Sequence, residues 1–236
     1  MYVELIAHTR LSEEFITKHL EQFDESTPGE IVTFTAIRTC YSPTSPTIIY
    51  TTEKDKYFTP LVNGKLDAHR LFDRVIKSHH LSVIEHINFT FAIEDVSRSL
   101  LAQLTRHRHM SFSVQSQRYV KMGSLDKSEG FSYTVPPSIS NTEELYEFYI
   151  HKMEQLQNTY DELRAFGVPA EDARFVLPNA TNTNLILTAN LRTFLEFYHK
   201  RKEGSGAQWE IAELANNIKW AISKVEPWTE KFFVEE

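Results

Sequence analysis

The segment from Val96 to Lys121 changes its hydrophobic periodicity partway along, and this change constrains how the surrounding chain can fold. Its first half carries leucines at helical spacing, which predicts a helix from Val96 to about Arg108. Its second half, Ser111 to Lys121, is rich in Phe, Val and Tyr and predicts a strand. We therefore expect a helix whose last residues lie beside the start of a strand.

The same segment is a cationic island in an acidic chain. No Asp or Glu occurs from Val96 to Leu125. The chain has a formal net charge of −7 and the island contributes +5, so the remainder carries −12. Positive charge confined in this way favours a small anionic ligand over a polyanion such as nucleic acid. The five cations are Arg98, Arg106, Arg108, Arg118 and Lys121.

Polar side chains interrupt both predicted elements of the island. Ser116 and Arg118 would fall on an otherwise apolar face of the strand, because side chains alternate between its two faces. A buried arginine without a partner is costly, so we expect an anion or an acidic side chain to meet Arg118. On the helix, Gln103, Arg106 and His107 would share one side, since they lie three and four residues apart.

The run Arg106 to His109 leaves four interpretations open. It could be a metal cluster, a solvated basic helix end, a confined nucleic-acid contact, or a site for phosphate or an anionic ring. The alternating arginines would repel a cation, which disfavours the metal. Because Ser116 and Arg118 bring further donors to the same region, anion recognition fits best.

Composition bounds the remaining possibilities. A chain of 236 residues with 41% hydrophobic residues can fold as one domain, predicted here over residues 1–236. The single cysteine, Cys40, excludes an internal disulfide, fits a cytoplasmic setting, and is expected to be a small buried residue. No apolar run is long enough for a membrane span. Neither GxGxxG, GxxxxGK[ST] nor HExxH occurs, so side chains such as Arg and His must hold any phosphorylated cofactor.

Other segments predict an alternation of helices and strands. Strands are expected at Ile87 to Ile93 and at Thr181 to Thr188. Helices are expected from Asn141 to Phe166, from Asn190 to Lys202, and after Asp67, which is predicted to cap its helix.

The chain resembles the flavin-dependent thymidylate synthases in several ordered motifs. Arg106-His107-Arg108, seven further residues, Ser116 and then Arg118-Tyr119 match the family signature RHRx7S with a trailing RY. The motifs HLSVIEH, EDARFVLP, NLRTF, AQWEI and PW occur in family order between about Ala36 and Trp228. The chain departs from the pattern at Val114, where Glu is frequent, and at Gly206, where His is common.

The resemblance implies a fold, a reaction and a set of partners. It implies an α+β fold with a mixed central sheet flanked by long helices. The family transfers a one-carbon unit from methylenetetrahydrofolate to dUMP, and FAD reduced by NADPH supplies the hydride that completes the methyl group. The resemblance also implies a homotetramer with shared active sites. We expect no metal, nucleic-acid or membrane partner.

The resemblance also implies site residues by motif position. Arg201 is expected to act catalytically, by stabilising negative charge on the uracil ring. The residues expected to bind dUMP are Gln103, Arg106, Gln115, Ser116, Arg118, Arg174 and Arg201. The residues expected to bind FAD are His80, Ser82, Arg106, His107, Arg108, Asn190, Arg192 and Glu196.

Two of these arginines also have a purely structural interpretation. Arg174 could pair with Glu171 at i,i+3, and Arg192 with Glu196 at i,i+4, each pair worth a few tenths of a kcal/mol. Asn190 and Arg201, eleven residues apart, would face the same way on a continuous helix.

Overall fold

The computed structural model of the chain describes residues 1–20, 26–59 and 66–234. The α+β class predicted from the sequence is confirmed. The strands are β1 (Tyr2–His8), β2 (Asn88–Ser97), β3 (Ser111–Val114) and β4 (Asn182–Asn190). The helices are α1 (Glu13–His19), α2 (Pro28–Tyr41), α3 (Ile49–Tyr57), α4 (Asp67–Lys77), α5 (Arg98–Leu104), α6 (Pro137–Ser140), α7 (Glu143–Ala165), α8 (Ala170–Ala173), α9 (Leu191–Arg201), α10 (Trp209–Val225) and α11 (Glu230–Val234).

The strands form one sheet in the order β1-β2-β4-β3. Strands β2 and β4 run antiparallel, because the N–H of Leu191 donates to Ile87 O at 2.8 Å and that of Arg98 to Thr181 O at 3.0 Å. Alternate residues of both strands are buried, as the apolar-polar alternation of the sequence predicts.

The chain divides into two compact units. Unit 1 comprises Met1–Val3 and Ala92–Leu187, and unit 2 comprises Glu4–Phe91 and Thr188–Glu236. In unit 1, the buried Tyr160 of α7 packs in a cluster with Phe131. In unit 2, aromatic rings such as Phe34 and Phe194 are fully buried. The single domain expected over residues 1–236 stays a prediction.

The predicted helix and strand of the cationic island are both too long. Helix α5 begins only at Arg98, after the Ser97 hydroxyl accepts from the N–H of Leu100 at 3.0 Å, and it ends at Leu104. Strand β3 ends at Val114. Beyond it the N–H of Val120 donates to Ser116 O at 2.8 Å, so a local turn takes the backbone groups that a longer strand would need.

Two local expectations are wrong, whereas the long helices are confirmed. Asp67 is not the cap of α4, because Leu66 holds that position and Asp67 pairs with Arg70 in the first turn. Cys40 is exposed rather than buried. Helix α7 ends before Gly167, whose φ of 85° suits glycine.

Within the described ranges, no helix has the length and apolar character that a membrane span requires.

Candidate active site

The RHR motif lies in the turn that follows α5 in unit 1. The N–H of Arg106 donates to Gln103 O at 3.4 Å and that of His107 to Leu104 O at 3.0 Å. Arg106 and Arg108 are exposed, and His107 is half-buried. The prediction that Gln103, Arg106 and His107 share one side of a helix is wrong, because the helix ends at Leu104 and only Gln103 is helical. The turn nevertheless exposes the cationic donors of Arg106 and Arg108 at the surface.

Ser116 and Arg118 lie in the turn after β3. The Ser116 hydroxyl accepts a hydrogen bond from the N–H of Arg118 at 3.2 Å, and the N–H of Gln115 donates to Asn184 O at 2.8 Å. The Arg118 guanidinium lies 2.5 Å from the Glu171 carboxylate. The expectation of an acidic partner for Arg118 is confirmed, although the side chain is 57% exposed and was expected to be buried.

Arg174 uses the backbone of Glu171 rather than its carboxylate. Its Nε donates to Glu171 O at 2.9 Å. The structural interpretation of an i,i+3 ion pair between these residues is therefore wrong, because Arg118 takes the carboxylate. One residue, Glu171, thereby holds two arginines of the predicted nucleotide site, and the fold brings them together from segments more than fifty residues apart.

In unit 2, Arg192 is held between two carboxylates. Its guanidinium lies 2.6 Å from Glu85 and 3.1 Å from Glu196. The i,i+4 pair with Glu196 is confirmed. These hydrogen bonds, first from Glu85 and then from Glu196, raise the pKa of Arg192. Arg192 and Glu196 also line a cavity of about 510 Å³ with the apolar side chains of Leu81 and Leu195.

Of the remaining predicted residues of unit 2, His80 and Ser82 lie between α4 and β2, and Asn190 and Arg201 lie at the two ends of α9. The His80 ring nitrogen Nδ1 lies 2.9 Å from the Tyr41 hydroxyl, and Ser82 lines a second cavity of about 590 Å³. Asn190 caps α9, where its amide oxygen accepts from the N–H of Thr193 at 2.9 Å. Arg201 is half-buried and ends the same continuous helix.

Sequence reasoning missed three residues that the structure connects with these side chains. Glu85 pairs with Arg192, Tyr41 contacts His80, and Arg98 carries a buried guanidinium nitrogen. Glu85 stands inside the HLSVIEH motif and Arg98 inside the acid-free island, so both had a signal in the sequence. The contact between Tyr41 and His80 had none, because it joins residues 39 positions apart.

Comparisons with known proteins agree on one family. The family model described as "Thymidylate synthase complementing protein" matches residues 23–228. A flavin-dependent thymidylate synthase of Geobacter sulfurreducens is 42% identical over 161 residues, covering 68% of this chain and 67% of that protein. That of Clostridium tetani is 37% identical over 220 residues, covering 86% of this chain and 82% of that protein.

Two solved structures share the fold. A UMP/dUMP methylase, PolB, of Streptomyces cacaoi with 5-Br dUMP has a TM-score of 0.72 at 20% identity and covers 99% of this chain and 94% of its own. The ThyX of Helicobacter pylori with FAD and dUMP has a TM-score of 0.67 at 21% identity and covers 99% of this chain and 98% of its own. Because the family model matches residues 23–228 and relatives above 30% identity cover more than two thirds of the chain, this protein belongs to the family of flavin-dependent thymidylate synthases.

Proposed function

We propose that this protein converts dUMP to dTMP, with methylenetetrahydrofolate as the one-carbon donor and FAD, reduced by NADPH, as the hydride carrier. The observation that carries the proposal is the pairing of Arg118 and Arg174 at Glu171, in a unit that also presents the exposed RHR turn. Two arginines that meet at a single acid leave a surplus of positive charge, which suits a phosphorylated nucleotide.

The residues present fit FAD. Cavities of about 590 and 510 Å³ lie beside Ser82 and Arg192, within the range of sizes that bind cofactors. The exposed Arg106 and Arg108 suit the flavin diphosphate. His80, His107, Asn190 and Glu196 would complete the set. When bound, FAD supplies the hydride that completes the methyl group, and the protein supplies position and electrostatic field.

The protein's own residues would bind and polarise the nucleotide. Gln103, Gln115 and Ser116 would orient it, and Arg106, Arg118 and Arg174 would bind its phosphate. Arg201 would face the N3 and O4 edge of uracil and stabilise negative charge there, which makes the ring a better carbon nucleophile. We assign Ser116 to binding, because its hydroxyl accepts from the Arg118 backbone and no base in the described residues activates it.

The proposal includes a cytoplasmic homotetramer in which subunits share active sites. Light scattering of the purified protein should give four times the chain mass of 27.5 kDa. Monomers that carry the full activity would contradict the shared site.

The direct test is an assay of the purified, FAD-loaded protein. We expect a yellow protein that forms dTMP only when dUMP, methylenetetrahydrofolate and NADPH are all present. A protein that does not bind FAD on reconstitution, or that leaves dUMP unchanged under these conditions, would overturn the proposal.

A second candidate is methylation of another pyrimidine nucleotide. It is favoured by the Streptomyces cacaoi protein, which is described as a UMP/dUMP methylase and has the same fold. The same assay with UMP and dCMP in place of dUMP separates the candidates. We expect dUMP to react with the highest kcat/KM, and a higher value for UMP would favour the second candidate.

A further inference from the structure

Arg98, the first residue of α5, buries part of its guanidinium without a hydrogen bond. Its Nη1 atom is shielded from solvent and has no partner among the residues that the structure describes. A buried donor left unpaired costs about 1–3 kcal/mol, and a charged one costs more. The backbone N–H of Arg98 is bonded to Thr181 O at 3.0 Å, which holds this residue beside the start of β4.

Further buried polar atoms in unit 1 lack partners in the described part of the chain. They are Gln117 Nε2, Thr181 Oγ1 and Thr183 Oγ1. Thr181 and Thr183 point to the same face, because they are two residues apart in extended backbone. The turn that carries Gln117 is held at the same part of β4 by the bond from Gln115 N–H to Asn184 O. Because folded proteins pair nearly all buried polar groups, these unpaired atoms, which lie on β4 and on segments bonded to its start, indicate a place for a polar ligand.

The charges around Arg98 indicate that this ligand is an anion. Burial, and then the positive charge of Arg174, lower the pKa of Arg98, and no carboxylate of the described residues offsets that repulsion. Glu171 accepts a hydrogen bond from Arg174 through its backbone oxygen only. Its carboxylate is already paired with Arg118. Two guanidiniums that repel each other are stabilised when an anion binds to both.

We propose that Arg98 is a further substrate-binding residue, which acts with Arg174 to bind the 5′-phosphate of the pyrimidine nucleotide. This rests on the proposed function, because that function assigns Arg174 to the nucleotide. A phosphate monoester is a dianion with several acceptor oxygens, so it can accept from both guanidiniums and satisfy the orphaned Nη1. The other anionic groups of the reaction are the glutamate tail of the folate, the diphosphate of FAD and the phosphates of NADPH.

The test compares two ligands that differ only in the phosphate. Binding of dUMP and of deoxyuridine to the FAD-loaded protein is measured by calorimetry for the wild type, Arg98→Met, Arg98→Lys and Arg70→Met. Arg70 is the matched control, because it is an exposed arginine of α4 that pairs only with Asp67 in the described residues. We expect Arg98→Met to weaken dUMP binding about 10- to 100-fold and leave deoxyuridine binding unchanged. Arg98→Lys should restore part of the loss, and Arg70→Met should change neither ligand.

Other outcomes overturn the assignment. Equal weakening of dUMP and deoxyuridine would mean that Arg98 only supports the fold. Unchanged dUMP binding with a lower FAD content, or with a raised KM for methylenetetrahydrofolate, would place a different anion at Arg98. If Arg98→Met does not fold, Arg98→Lys is the test. Its preference for dUMP over deoxyuridine must be smaller than that of the wild type, and an unchanged preference overturns the assignment.

The two proposals fail separately. A wild-type protein that forms dTMP, with a variant whose preference for dUMP over deoxyuridine is intact, overturns only the role of Arg98. A wild-type protein that binds dUMP through Arg98 but forms no dTMP overturns only the proposed reaction.

Discussion

At the scale of single residues, the pair of Arg118 and Glu171 holds an arginine of the proposed nucleotide site in a defined position. The two side chains are 57% and 44% exposed, and ion pairs of that exposure contribute about 0–1 kcal/mol. A phosphate that binds Arg118 can therefore replace the carboxylate at little cost. Glu171 orients the arginine and would at the same time compete with the phosphate of the proposed substrate.

This competition predicts the effect of neutralising Glu171. Glu171→Gln should lower the KM for dUMP up to about 5-fold, because the phosphate no longer displaces a carboxylate. Steady-state kinetics measures the change. Asp172→Asn is the matched control, since it removes the same charge from the next, exposed position. An equal decrease of KM in both variants would attribute the effect to net charge instead of to the pair.

Arg192 offers a second prediction at this scale. Arg192→Met should weaken FAD binding about 10- to 100-fold, because a charged hydrogen-bond donor of the cavity is lost and the carboxylates of Glu85 and Glu196 are left without their cation. Equilibrium dialysis with flavin absorbance measures the affinity. Arg74→Met, which removes an exposed arginine of α4, should bind FAD as the wild type does. If Arg192→Met binds FAD with unaltered affinity, Arg192 forms only structural ion pairs and does not bind the cofactor.

At the scale of elements, the start of α2 is fixed by a buried carboxylate from the end of the chain. Thr27 and Glu30 form a capping box. Glu226 accepts from the N–H of Gly29 at 2.9 Å and from Trp228 Nε1 at 2.7 Å, and the Thr27 hydroxyl also donates to it. A Cβ on residue 29 would lie 2.5 Å from this carboxylate, so glycine is required by the close approach.

Gly29→Ala is therefore expected to destabilise the protein by about 1–3 kcal/mol, measured by urea unfolding. The clash can be separated from other effects with Glu226→Ala and the double variant. If the Cβ collides with Glu226, Gly29→Ala should cost less in the Glu226→Ala background than in the wild type. Additive losses would contradict this explanation.

At the scale of the whole molecule, Glu226 also makes stability depend on pH. The side chain is fully buried, and burial, with a smaller contribution from the charge of Glu30, raises its pKa above the ordinary value of 4.5. Glu30 in turn lies 2.5 Å from the His69 ring. Because the folded pKa is the higher one, the folded state binds the proton more tightly than the unfolded state does. The stabilisation is complete below the unfolded pKa and is lost as pH rises through the folded pKa.

Glu226→Gln tests this sign. As the pH rises from below 4.5 through the raised pKa, the free energy of unfolding of the wild type should fall relative to that of the variant. Urea unfolding of both proteins at a series of pH values gives the difference. A difference that does not change with pH, or that changes in the opposite direction, would show that Glu226 is not protonated preferentially in the folded state.

The sequence by itself determined the fold class, the long helices and the family. The alternation of β2 and β4 and the periodicity of α7 and α9 depend on local geometry, which a linear pattern records. The sequence likewise determined the positive charge of the RHR motif, which the structure places in an exposed turn of unit 1. The sequence also marked Arg98 as one of the five cations of the acid-free stretch, but it did not distinguish Arg98 from the other four.

The tertiary structure alone decided which partners the charged residues take and where short elements end. The i,i+3 spacing allowed a pair between Arg174 and the Glu171 carboxylate, but Arg118, from a distant turn, takes that carboxylate. The alternation of Phe, Val and Tyr predicted a strand to Lys121, but the backbone closes a turn after Val114. The exposure of Cys40 and the burial of the Arg98 Nη1 atom likewise depend on residues that are distant in sequence. In each case the energy depends on groups far away in sequence, which come close only when the chain has folded.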